Sequence, residues 1–121
     1  MENFELFDAE YKFMDILWEY EPINSTQLTR ICFDKLGWKK STAFSMIKRL
    51  SERNIVKNEK ATVTAIIKRE QVRKHEADTL LNKAFGGSIP TFITSFLKDR
   101  TLSEKEALEI KKIIDEATKK R

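Results

Sequence analysis

The chain has 121 residues, 40% hydrophobic and 35% charged, with 23 basic against 19 acidic side chains. That balance suits a globular chain, either one domain or a compact head with an oligomerising tail, and excludes a disordered one. No apolar run approaches the roughly 20 residues that span a bilayer, the opening MENFELFDAE is acidic where an export signal is basic, and a lone Cys32 and a lone His75 leave neither an internal disulfide nor a metal cluster. A cytoplasmic protein without membrane insertion, metal or cofactor is the expectation.

The first helix is expected over residues 8–20, burying Tyr11, Met14, Leu17 and Trp18 at helical spacing. Pro22 ends it, because the residue before a proline is steered out of the helical region. Asn24 opens a second helix as N-cap, with Gln27 three residues on in the capping-box position. Leu28, Ile31, Cys32 and Leu36 form its apolar stripe, and Gly37 stops it. A third helix, capped by Ser41 or Thr42, runs to about Arg53, and Asn54 suits the left-handed turn that follows.

The third helix has two faces with different tasks. Ala43, Met46, Ile47 and Leu50 fall on one stripe, and Ser41, Ser45, Lys48, Arg49 and Glu52 fall opposite. The outward face is short, polar and mostly cationic, unlike the mixture of long acidic and basic side chains that covers an ordinary solvated helix. It sits in the most basic part of the chain. Residues 35–74 hold twelve basic side chains against three acidic, whereas residues 1–34 hold two against eight and residues 75–121 nine against eight. Such clustering is the electrostatic footprint of a surface that neutralises phosphates.

Two short segments rich in Val, Ile and Thr follow, residues 55–59 and 62–68, joined by Lys60-Ala61 as an antiparallel hairpin. Three helices and a basic hairpin make a winged helix-turn-helix. Beyond it, residues 70–85 read as a helix with Ala77, Leu80, Leu81, Ala84 and Phe85 on one stripe, broken by Gly86-Gly87. Ser88 restarts a helix carrying Ile89, Phe92, Ile93, Phe96 and Leu97, and Ser103 with Glu106 caps a last one carrying Leu108, Ile110, Ile113, Ile114 and Ala117. The expected fold is therefore mostly α with a small β-hairpin: a winged helix-turn-helix head over residues 1–69 and a three-helix C-terminal dimerisation region over residues 70–121. The tail carries more apolar surface than short helices bury alone, which points to an interlocked homodimer, with a tail folded back on its own head as the alternative. Its interface candidates are Leu81, Phe85, Ile89, Phe92, Ile93, Phe96, Leu97, Ile110, Ile113 and Ile114.

A recognition helix reads base edges near its N-terminus and touches phosphates further along. The base-facing candidates are Lys40, Ser41, Thr42, Phe44 and Ser45; the phosphate candidates are Lys39, Lys48 and Arg49, with Lys57 and Lys60 in the wing. Phe44 lies at the flank of the apolar stripe, where it either packs inside or leans on a thymine methyl. Arg49 either touches DNA or pairs with a carboxylate of the first helix. Cys32, Trp18 and Trp38 read as core residues, and His75 as a surface or hinge residue. No paired carboxylates, nucleophile with base, or glycine-rich phosphate loop stands at interpretable spacing, so an enzyme is not expected. A winged-helix protein-interaction module and a small-molecule-responsive regulator are the competing classes.

The runs FDAEYKFMDILWEYEPINSTQL, GWKKSTAFSMIKRLSERNIVK, EADTLLNKAFGGS and LSEKEALEIKKII carry a further signal. In order and spacing the chain resembles, nearly end to end, the penicillinase-repressor family of BlaI/MecI-type regulators, to which the copper-responsive CopY repressors also belong. The resemblance implies a homodimeric repressor that binds a palindromic operator on double-stranded DNA, with TACA/TGTA half-sites, in an antibiotic-resistance or stress-type operon. It also implies relief of repression through a membrane sensor-protease pathway that cleaves before a phenylalanine, here the Ser95–Phe96 bond. Ser95 stands where the best-known members carry Asn. The tail holds no cysteine, so copper sensing of the CopY kind is not expected. Phe44 replaces a usual polar or basic residue, the wing lacks its customary glycine and arginine, and Phe7 stands where a Ser or Thr cap is usual.

Overall fold

A computed structural model describes residues 5–119. In chain order the elements are α1 (Asp8–Tyr20), β1 (Ile23–Asn24), α2 (Ser25–Leu36), α3 (Lys40–Glu52), β2 (Val56–Glu59), β3 (Thr62–Ala65), α4 (Arg69–Phe85), α5 (Ile89–Leu97) and α6 (Glu104–Lys119). The chain divides into two compact units at Leu80/Leu81. The first turns of α4 go with the head because Val72 is fully buried in the head's core.

The head is built by three amphipathic helices whose apolar stripes meet over a small sheet. Phe13, Met14 and Leu17 of α1, Leu28 and Cys32 of α2, and Ala43, Met46, Ile47 and Leu50 of α3 are all buried, closed below by Ile55, Val56 and Val63. Tyr11 and Trp18 lie at the edge of this core, where Trp18 donates its indole N–H to the Ile67 carbonyl at 3.0 Å. Trp38 stacks on Phe13 with ring centroids 6.4 Å apart. Local signals set the boundaries: the Asn24 side chain accepts from the N–H groups of Thr26 and Gln27, and Gly37 adopts φ 70°, the left-handed conformation that closes a helix. Asn54 makes the same turn after α3 at φ 59°.

Three details differ from the sequence expectation. The sheet has three strands in the order β1-β3-β2, because Ile23 pairs with Val63 and Asn24 with Thr62. Pro22 has no N–H with which to lengthen β1, and the Glu21 carboxylate accepts from the Ala65 N–H at 2.8 Å. The second strand of the wing, β3, ends at Ala65 rather than Lys68, since the N–H groups of Ile66 and Ile67 turn back to the Ile55 carbonyl. Thirdly, α3 starts at Lys40 with Lys39 as N-cap and no side-chain cap. Ser41 and Thr42 therefore lie inside its first turn, exposed, and do not cap it.

In the second unit, Gly86 and Gly87 take φ 58° and 82° and separate α4 from α5. Ser88 caps α5 by accepting from the Thr91 N–H at 3.1 Å, and Ser103 accepts from the Glu106 N–H at 3.1 Å before α6. No residue of α5 or α6 is buried.

Candidate nucleic-acid interface

The burial of Ala43, Met46, Ile47 and Leu50 fixes the rotation of α3, and everything on its other face follows from that rotation. Lys39, Lys40, Ser41, Thr42, Ser45, Lys48 and Arg49 are all exposed. Phe44 is 36% exposed, and the Lys40 ammonium lies 5.9 Å from its ring centroid. Phe44 thus stands on the outward side of the helix instead of inside the core. Lys39 and Lys48 form no ion pair with another described residue. The first turn has no side-chain cap, and a helix start beside the ammonium groups of Lys39 and Lys40 favours an anion there.

Arg49 is committed on one side. Its Nε lies 3.2 Å from Glu10 Oε2, and the Arg53 Nη1 lies 3.0 Å from both carboxylate oxygens of the same glutamate. Glu10 is 1% exposed and also accepts from the Phe7 N–H at 2.9 Å. This buried carboxylate ties the start of α1 to the end of α3 and satisfies the N–H of the N-cap residue Phe7, whose own side chain cannot cap the first turn. The structural alternative for Arg49 is therefore realised, while its side chain keeps 56% of its exposure. The roles of Glu10 and Arg53 were not drawn from the sequence; the spacing of Glu10 three residues after Phe7 was the available signal.

The wing presents Lys57 and Lys60, both exposed. Lys57 pairs with Glu59 at 3.1 Å, and the turn residues Lys60 and Ala61 adopt left-handed φ of 52° and 62°. Beside the start of α3, Thr26, Thr29, Arg30, Phe33 and Asp34 of α2 line an open cleft with Lys40. Sequence reasoning gave α2 only a core face and missed this second wall, although Phe33, 61% exposed, breaks its apolar pattern. Cys32 is fully buried and its thiol is pushed up to about 11 by burial, so it is an inert core group at neutral pH.

The tail candidates fall into two sets. Leu81, Phe85, Phe92 and Leu97 are half-buried, with Phe85 and Phe92 meeting edge to face at 5.2 Å. Ile89, Ile93, Phe96, Ile110, Ile113 and Ile114 are exposed, from 38% at Ile110 to 66% at Ile113. The Ser95–Phe96 bond lies near the end of α5, and Arg100 sits 4.4 Å from the Phe96 ring centroid.

A three-helix head carrying a small antiparallel wing, with its third helix presenting a cationic outer face, defines a winged helix-turn-helix regulator. The family model described as penicillinase repressor matches residues 6–116. The chain belongs to the penicillinase repressor family. It is 26% identical to the penicillinase repressor of Staphylococcus aureus over 96% of this chain and 95% of that one. To the penicillinase repressor of Bacillus licheniformis it is 22% identical, over 93% and 91% respectively. Among solved structures, the monomeric form of Bacillus licheniformis BlaI in complex with the blaP half-operator shares the fold, with TM-score 0.50 and 21% identity over 59% of this chain and 93% of that one.

Proposed function

We propose that the protein is a DNA-binding transcriptional repressor that acts as a homodimer on a palindromic operator, with one α3 in the major groove of each half-site. The observation that carries this reading is the division of α3 into a buried stripe and an exposed face of lysines and short hydroxyls. Ser41, Thr42 and Ser45 are small enough to let the helix approach base edges and can donate or accept there. Lys39, Lys40 and Lys48 supply phosphate contacts, joined by Lys57 and Lys60 from the wing and by the exposed part of Arg49. The names of the relatives and the half-operator bound to BlaI support the same reading.

The exposed apolar faces of α5 and α6 supply the pairing surface. Contiguous apolar patches of this kind mark interaction sites, and a second copy of the tail offers a matching surface about a two-fold axis. Regulation of an antibiotic-resistance or stress-type operon, with derepression by a membrane sensor-protease pathway cutting Ser95–Phe96, completes the proposal. That cut requires the end of α5 to unwind first, since the bond lies within the helix.

The test is competition binding of the full chain to its own upstream region against random duplex, repeated over a range of salt. The expected result is a preference for the upstream region of a thousandfold or more, with affinity falling steeply as salt rises. Equal affinity for both duplexes, or affinity indifferent to salt, would remove the proposal.

A further inference from the structure

Of the large apolar side chains on α3, Phe44 is the one that does not enter the core. Ala43, Met46, Ile47 and Leu50 are at most 5% exposed, whereas Phe44 keeps 36%. Its neighbours on the outward face are the exposed Ser41 and Ser45, too short to screen a ring. Lys40 places its ammonium 5.9 Å from the ring centroid, so a phosphate-seeking group stands beside the aromatic surface. The ring has no hydrogen-bond donor or acceptor. Of the groups that base pairs display in the major groove, the thymine C5-methyl is the apolar one.

We propose that Phe44 is a specificity-determining residue that selects thymine at one position of each half-site by packing its exposed edge on the C5-methyl group. This rests on the reading of α3 as a helix lying in the major groove. Ser41 and Ser45 then contribute hydrogen bonds on either side of a contact that is itself apolar. A cytosine at that position offers no methyl, and a purine fills the space with polar edge atoms.

The experiment selects preferred duplexes from a randomised library with the full-length protein. The best duplex is then resynthesised with each thymine replaced singly by 2′-deoxyuridine, a change that removes the methyl and leaves every hydrogen-bonding group in place. At one thymine per half-site, affinity is expected to fall about fourfold, the value of one buried methyl group. Phe44→Ala is expected to bind the thymine and uracil duplexes alike, and Phe44→Leu, which keeps an apolar tip and most of the packing, to show a reduced penalty. The proposal is overturned if the unaltered protein prefers its selected duplex over random DNA yet loses nothing at any uracil. An undiminished uracil penalty in both variants overturns it equally. Failure to enrich any sequence would overturn the DNA-binding reading as well, and is told apart because it precedes the uracil scan.

Discussion

In the head, Phe13, Met14, Leu17, Leu28 and Leu50 are wholly removed from solvent, whereas in the tail Ile89, Leu108 and Ile113 keep 62–66% of their exposure. Both regions are amphipathic helices with an apolar stripe. The difference lies in closure: three helices and a sheet surround one another in the head, and α5 and α6 leave their stripes open. A closed core gives a region its own cooperative stability, while an open one makes stability depend on what covers it. On the function proposed above, the head would hold a fixed reading surface and the tail would set how many such surfaces act together.

The comparison is broken most severely by truncating one apolar side chain on each side. Leu50→Ala should cost roughly 3–5 kcal/mol, the cost of emptying a fully buried leucine site. Ile113→Ala, made on an exposed position, should leave the head's transition in urea unchanged and lower only the concentration-dependent part of the unfolding. Similar losses from both, at every protein concentration, would erase the distinction. Phe96→Asp comes next: a charge placed in the open stripe should leave a monomer at micromolar concentration, measured by sedimentation velocity, and a persistent dimer would move the pairing surface elsewhere.

A smaller effect is expected at the junction of α1 and α3. Glu10→Gln removes the charge that holds Arg49 and Arg53 and should cost about 1–3 kcal/mol in thermal unfolding, since both arginines retain access to water and lose mainly charge-assisted hydrogen bonds. Smallest is the wing turn, where Lys60 and Ala61 both have positive φ. Ala61→Gly should stabilise the head by about 1 kcal/mol, because the left-handed conformation strains a residue with a Cβ and suits glycine. A loss of stability instead would mean that the turn is not strained.

What the sequence disclosed follows from the range of the interaction concerned. The bounds of α1, the buried stripe of α3, the Asn24 cap and the Gly37 stop are local, written within four residues of one another, and the structure has them where the pattern puts them. Strand β1 is two residues long, too short to show alternation, and it exists only because β3 returns to pair with it. The hub at Glu10 joins residues 43 apart, which no periodicity reports. On α3, the pattern identified the outward face and left Phe44 and Arg49 undecided. Packing resolved the first outward, and the Glu10 carboxylate drew the second partly inward.

The division of labour between head and tail is tested most directly by one titration of the full chain on two duplexes, a palindromic operator and the same duplex with one half-site scrambled. If two heads read while their tails pair, the unaltered protein should lose about a hundredfold or more on the scrambled duplex. Phe96→Asp should bind both duplexes with nearly the same weak affinity. An unaltered protein that binds the two duplexes equally well, or a Phe96→Asp variant that discriminates between them as strongly as the parent, would contradict the account.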